Sequence, residues 1–297
     1  MEKIRILTSK KKEPIASKVV DFFAAIRFQE SIFALPFAYT GMILASNGIP
    51  SLGKFLLITL AMISARTVGM VANRVIDRQI DAVNPRTKNR HLPAGILKSI
   101  DLIIPAVICS IIFFWSAYQL NNLSFYLSPL AITCLIIYPY SKRYTWTSNL
   151  LLGWTLAIAP SAAWIGIQGT LSWQPVLLSF SVAAWAGSFD ILYHCQDINF
   201  HKTTGLHSVA SKFGVVTSFH ISKILDVVSL VCLAGLGFWM NLGIPFFMGC
   251  LIATSLLAYK YVLVKPHDLS KMGIAFMRIN AFVSTIILLG TLISVII

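Results

Sequence analysis

Residues 52–81 read LGKFLLITLAMISARTVGMVANRVIDRQID. The first part is almost entirely apolar or small, and about twenty such residues at 1.5 Å each are long enough to cross a hydrocarbon layer. The stretch ends in two carboxylates, Asp77 and Asp81, four positions apart, with Asn73 one further turn back. That spacing puts all three on one helical face. Carboxylates at the end of a membrane segment are costly and tend to be kept for function, and the chain has only 11 acidic residues against 24 Lys and Arg. An oxygen-rich pair of this kind suits a divalent cation. The continuation Asn84-Pro-Arg-Thr-Lys-Asn-Arg90 adds cations that match phosphate oxygens, so a phosphate-bearing ligand fits better than a bare ion.

The rest of the chain repeats the apolar theme. Of its 297 residues, 57% are hydrophobic and 12% charged, a composition outside the range of soluble domains. Apolar runs over 30–47, 52–73, 102–119, 123–141, 148–168, 174–193, 222–240, 244–264 and 273–297 predict an all-α polytopic membrane protein of about nine transmembrane helices. The alternating ten-residue segments of a membrane β-barrel are absent. The net charge of +13 does not point to nucleic acid, because the basic residues follow the positive-inside pattern. They gather in an N-terminal arm over 1–28 (Lys3, Arg5, Lys10, Lys11, Lys12, Lys18, Arg27) and in every second loop. This predicts that the N-terminus and the loops 74–101 and 194–221 are cytoplasmic, in a single domain over 1–297. The first apolar run has no small-residue cleavage site after it and reads as a retained helix. The cysteines Cys109, Cys134, Cys195, Cys232 and Cys250 lack metal or disulfide spacing and read as small apolar residues.

A second polar face follows span six: Asp190, Tyr193, Asp197 and His201. It stands in the same register after its span as the Asn73-Asp77-Asp81 face does after span two. This suggests two similar four-helix halves plus a ninth helix, with both faces at one cytoplasmic mouth. Arg66, two turns inside span two, must face a cavity or an ionic partner. Tyr138 and Lys142 close span four on one face. Beside a diphosphate they would donate to its oxygens; alone they would read as an interfacial tyrosine and a snorkelling lysine. Pro36, Pro105, Pro129 and Pro160 lie inside spans and suit either a bent wall around a cavity or ordinary packing kinks. Together the residues ask for a Mg²⁺-bridged diphosphate carrying an apolar tail. A transporter with a cation site is the alternative from another class.

The sequence resembles the UbiA superfamily of intramembrane aromatic prenyltransferases. Asn73, Asp77 and Asp81 match the family's Asn-x3-Asp-x3-Asp. The phrase Asn84-Pro-Arg-Thr-x2-Arg90-x-Leu-Pro-x-Gly95 follows it as in that family, and Tyr138 with Lys142 matches Tyr-x3-Lys. Phe189-Asp190-x2-Tyr193-x2-Gln196-Asp197 matches the second aspartate motif. The resemblance runs from Ala34 to the ninth helix. One departure is His201, where the family usually closes the motif with a further aspartate. Imidazole is a poor Mg²⁺ ligand, so either His201 donates to the diphosphate or Asn199 and water complete the metal shell.

The resemblance implies Mg²⁺-dependent transfer of a polyprenyl group from its diphosphate to a hydroxylated aromatic acid, in the membrane and in quinone biosynthesis. It makes Asp77, Asp81, Asp190 and Asp197 metal ligands, directly or through water. Asn73, Arg74, Arg90 and Lys142 become diphosphate-binding candidates with Tyr138, Tyr193 and His201 beside them, and Arg66 or Arg143 the candidate for the acceptor's carboxylate. The phrases around Arg90 and Asp190 resemble the 4-hydroxybenzoate polyprenyltransferase branch, including members of the futalosine route to menaquinone that use a dihydroxynaphthoate. Haem O and chlorophyll synthase relatives resemble the chain less. A bacterial inner membrane is the implied location. The sequence leaves prenyl length and oligomeric state open.

Overall fold

The computed structural model describes residues 15–297. Lys3, Arg5, Lys10, Lys11 and Lys12 of the basic arm lie outside them; the part within is a helix, α1 (Ile15–Ala25), tied to a later element by Lys18 Nζ to Asp101 Oδ1 at 3.1 Å. Long helices follow: α2 (Ser31–Ser46), α3 (Leu52–Ile76), the short α4 (Arg78–Val83), α5 (Ser99–Leu120), α6 (Asn122–Ile137), α7 (Ser148–Gln168) and α8 (Trp173–His194). Then come the short α9 (Ile198–Thr204), α10 (Val209–Trp239), α11 (Ile244–Leu263), the single turn α12 (Met272–Ile274), a π-helical turn over Ala275–Ile279 and α13 (Asn280–Ile296). Among the described residues, 8 helices are long and apolar enough to cross a membrane, and the apolar part of α2 is a shorter ninth, Leu35–Ser46. The protein is an all-helical integral membrane protein, as the hydrophobic pattern predicts.

Helix ends follow local chemistry. The Ser51 hydroxyl accepts from the Lys54 amide to start α3, and Asn121 Oδ1 accepts from the Ser124 amide at 2.9 Å to start α6. Asn121 alone separates α5 from α6, and its amide also donates to the Ile165 carbonyl at 2.7 Å, closing that end of the bundle. Both motif-bearing loops contain a short helix, α4 or α9. The second loop is shorter than the 194–221 read from hydropathy, because Ser208 caps a helix that starts at Val209 and breaks only at Gly214 (φ 82°). Polar residues in this first turn hide it from a hydropathy reading. Pro36, Pro105, Pro129 and Pro160 all lie inside helices.

The helices pack as α3 with α5 and α6, α7 with α8 and α8 with α10, and α11 with α13; α2 bridges α7 and α13. The inner faces share a core of Phe37, Trp185, Phe189, Leu233, Phe246 and Ile287. The outer faces expose Ile104, Val107, Ile108 and Ile111 on α5, Val227 and Val231 on α10, and Phe282 on α13. An apolar surface this continuous is tolerated in lipid and not in water. Small residues set the closest approaches. A Cβ on Gly41 would stand 2.4 Å from the Pro160 carbonyl oxygen, and one on Gly153 2.4 Å from the Ala183 carbonyl oxygen and 2.9 Å from the Gly187 nitrogen. The contact at each is backbone, which cannot rotate aside. Gly153→Ala is therefore expected to push α7 off α8 and cost about 1–3 kcal/mol. It should lower the melting temperature in detergent, and an unchanged melting temperature would refute this packing.

Candidate active site at the polar ends of α3, α6 and α8

Asp77 ends α3 and is 1% exposed. Span four does not end as an α-helix. Tyr138–Arg143 forms a 3₁₀ turn containing Pro139, and this turn brings Lys142 Nζ to 2.5 Å from Asp77 Oδ2. Arg143 donates to the Ile76 carbonyl at 2.7 Å and stands 3.9 Å from Asp77 Oδ1. Burial pushes the Asp77 carboxyl above the ordinary carboxylate range, against the pull of Lys142; neighbouring Asp81 adds to the push and Arg143 opposes it. Asp81, on α4, receives Arg90 Nη1 at 2.7 Å, and its backbone carbonyl accepts from the Thr87 hydroxyl at 3.0 Å.

The Asn84-Pro-Arg phrase makes the link to the second motif. Asn84 Oδ1 accepts from the Arg86 amide at 2.9 Å, a turn that aims the arginine across the mouth. Arg86 then grips Asp197 with Nε at 2.8 Å and with Nη2, while Asn84 Nδ2 reaches the same carboxylate at 3.3 Å. Arg86 also donates to the Tyr193 hydroxyl at 2.7 Å and lies 4.8 Å over its ring. Burial works against the Arg86 charge, but the bonds to Asp197 outweigh it and hold the guanidinium above its ordinary pKa. Asp190 lies further in; its carboxylate accepts from Asn149 Nδ2 at 2.7 Å, and His194 Nδ1 stands 3.0 Å from its backbone carbonyl and 3.2 Å from its Oδ2.

Inward from these charges lies a cavity of about 190 Å³. Met62, Ala65, Gly69, Leu135, Leu156 and Ala159 line it, together with the aromatic Phe37, Phe113, Trp185, Phe189 and Phe276; its polar groups include Arg66, Tyr138 and Asp190. The turn that carries Lys142 to Asp77 thus also sends Tyr138 into the cavity.

Several expected groupings change in this geometry. The four aspartates do not converge: among the described residues no three His, Cys, Asp or Glu side chains gather closely enough to hold an ion. Asp77, Asp81 and Asp197 are each drawn to a different basic side chain. Arg74 is buried and turned toward α1, donating from Nε to the Ala25 carbonyl at 2.9 Å, and Asn73 accepts from it at 3.4 Å. His201 is 4% exposed and bonded to the Ser208 hydroxyl at 3.2 Å, while Asn199 is exposed. Sequence reasoning carried Asn84 and Arg86 only within a motif phrase and His194 only as an alternative to Tyr193 on the second polar face, and it passed over Asn149. For Arg86 the signal was present, since it stands four residues before Arg90. For Asn149, which starts a different helix, no local signal exists. The donor set still suits a hard cation: Asp77 Oδ1 is buried without a hydrogen-bond partner, an acceptor lone pair that a divalent ion satisfies.

The sequence pattern of the UbiA prenyltransferase family matches residues 34–286. This chain belongs to that family. As a UbiA-family protein it is a polyprenyltransferase. It is 30% identical over 254 residues to a 4-hydroxybenzoate octaprenyltransferase of Vibrio cholerae serotype O1, covering 86% of this chain and 89% of the relative. The apo structure of a UbiA homologue from Aeropyrum pernix K1 superposes with a TM-score of 0.78 at 25% identity, covering 90% of this chain and 97% of that one. A UbiA homologue from Archaeoglobus fulgidus, solved bound to DMAPP and Mg²⁺, shares the fold with a TM-score of 0.64 at 18% identity over 90% and 99% of the two chains.

The Asp77–Lys142 contact has a pH signature. With Lys142→Met, burial and Asp81 push the Asp77 carboxyl up, opposed by Arg143 alone. A carboxyl whose folded pKa is raised binds its proton more tightly folded than unfolded, so stability falls as pH rises through the folded value. The melting temperature of Lys142→Met should therefore fall increasingly below that of the wild type as pH rises above the ordinary carboxylate range. Parallel curves would show that Lys142 does not hold the charge of Asp77.

Proposed function

We propose that the protein transfers a polyprenyl group from a polyprenyl diphosphate to a hydroxylated aromatic acid of the 4-hydroxybenzoate type, in a bacterial inner membrane, for quinone synthesis. The observation that carries this reading is the Tyr138–Arg143 turn, which joins an apolar cavity to a cluster of charges. A substrate with a hydrocarbon tail and a multiply charged diphosphate head requires such a junction. The name of the Vibrio cholerae relative supports the acceptor class, and the DMAPP and Mg²⁺ of the Archaeoglobus homologue support the donor and the cation.

Mg²⁺, when bound, would supply positive charge to the diphosphate oxygens; Asp77, whose Oδ1 lacks a hydrogen-bond partner, is the residue that would hold it, with Asp81, Asp190 and Asp197 contributing directly or through water. Lys142, Arg86 and Arg90 receive the leaving diphosphate. Each already faces a carboxylate, so binding exchanges one anion for another and does not strip water from a bare cation. The bond between the allylic carbon and the diphosphate oxygen breaks, the aromatic ring carbon attacks, and the ring proton is lost. The cavity keeps water from the allylic cation, and the faces of Phe37, Trp185, Phe189 and Phe276 surround it. Arg66 lines this cavity, whereas Arg143 is turned to the Ile76 carbonyl; Arg66 is therefore the residue we assign to the acceptor's carboxylate.

Purified protein with Mg²⁺, octaprenyl diphosphate and 4-hydroxybenzoate should release pyrophosphate and form the prenylated acid. Asp77→Asn, Asp81→Asn and Asp197→Asn should each lower turnover at least about a hundredfold. Near-wild-type turnover in all three would sink the charged-mouth reading, and preference for a dihydroxynaphthoate would move the acceptor to the other branch. Replacing the acid's carboxylate by methyl should reduce kcat/KM by roughly 2–5 kcal/mol in transition-state stabilisation. Arg66→Gln should erase that discrimination; equal kcat/KM for acid and methyl analogue in the wild type would remove Arg66 from this role.

A further inference from the structure

The reaction site uses one face of α8. The opposite face holds a second buried polar cluster. Lys260, in the last turn of α11, is 1% exposed and lies 2.7 Å from Asp226 Oδ2 of α10, itself 4% exposed. Tyr261 donates to the same carboxylate oxygen at 2.5 Å and shares a 2.8 Å bond with the Ser222 hydroxyl. Lys260 Nζ donates at 3.1 Å to the Ser188 hydroxyl of α8, which in turn shares a 2.7 Å bond with Ser222. A charge pair inside membrane spans is costly to maintain, and none of these groups lines the cavity.

The cluster's place on α8 shows what it controls. Ser188 and Asp190 are two residues apart, and at about 100° per residue they point to nearly opposite sides of the helix. Ser188 faces α10 and α11, and Asp190 faces the cavity. Ser181 and Ser229 form a further contact between α8 and α10, at 2.9 Å, seven residues from Ser188 and Ser222 respectively. That pair sets the spacing of the two helices. The Lys260–Asp226 pair adds a tether from a third helix, and a tether to two neighbours fixes rotation where a contact to one fixes only distance. We infer that Asp226 and Lys260, acting through Ser188, are positioning residues that set the rotation of α8 and so the aim of Asp190 into the cavity.

The inference rests on the transfer reaction proposed above. Ser188→Ala removes the tether from Lys260 to α8, keeps the 3.0 Å bond from the Ser222 hydroxyl to the Ser188 carbonyl, and leaves the Asp226–Lys260 pair intact; the double variant Asp226→Asn with Lys260→Met removes both charges together, so no buried ion is left unpaired. In purified, folded protein, Ser188→Ala should lower kcat about tenfold or more, while the KM for octaprenyl diphosphate, whose diphosphate is gripped by Lys142, Arg86 and Arg90 outside α8, stays within about twofold. Its melting temperature should stay near that of the wild type. The double variant should show the same kcat loss, and if it does not accumulate in membranes, Ser188→Ala decides alone. An unchanged kcat in Ser188→Ala would overturn the inference. So would a melting-temperature loss with kcat per folded molecule intact, which marks a staple for stability only. A wild type that releases no pyrophosphate would instead overturn the transfer reaction itself.

Discussion

Everything at the polar end of this molecule follows from the cost of burying a carboxylate. Asp77, Asp81 and Asp197 are nearly inaccessible to water, and a charge so placed must find an opposite charge or give up its ionisation. The partners come from distant parts of the chain: Lys142 from the end of α6, Arg90 from the loop after α4, and Arg86 from that same loop to the far motif. The contacts that form the site are therefore also contacts that close the fold. Assembly of the bundle and assembly of the charge cluster are one event, and a single neutralised partner affects both.

The division between tail and head shapes the rest. Apolar walls from α3, α6 and α7 and an aromatic side from α2 and α8 surround the cavity, and its polar groups, Arg66, Tyr138 and Asp190, are separated along different helices. The 3₁₀ turn at Tyr138–Arg143 is where the two environments meet. A regular α-helix through this segment would advance 3.6 residues per turn; the tighter winding resets the direction of Lys142 relative to Tyr138. Pro139 near the start of the turn suits it, since it lacks the amide hydrogen that a continuing α-helix would use.

Much of this was legible in the sequence. The spans were, because a bilayer imposes a length and a composition on every helix, and the paired motifs were, because four-residue spacing survives any uncertainty in helix ends. The misreadings have local physical causes. Val209–Phe213 is helical although its surroundings are polar, because Ser208 caps it. Arg74 carries the same charge as Arg86 but sits one residue from Asn73 on the other side of α3, so it turns to the Ala25 carbonyl. Convergence of the four aspartates was expected from motif symmetry, yet Asp77, Asp81 and Asp197 each meet a different basic group, and Asp190 the Asn149 amide, partners that spacing alone could not assign. The Ser188–Lys260–Asp226 cluster was not legible, because Ser188 and Asp226 stand singly in apolar runs and Lys260 reads as one of the basic residues flanking the link between spans eight and nine, whereas it is buried in the last turn of α11.

The sequence separations of the ion pairs bear on how the chain enters the membrane. Asp77 precedes Lys142 by 65 residues and Arg86 precedes Asp197 by 111. During synthesis the earlier member of each pair must wait for the later one. All of these waiting groups stand beyond the last turn of their helix, where headgroups and water can solvate them in the interval. Asp226 and Lys260 lie within spans and could not wait at such length; they belong to α10 and α11, consecutive helices that can insert as one hairpin already neutralised. The placement of charge along this chain thus matches the order in which a translocon would release it.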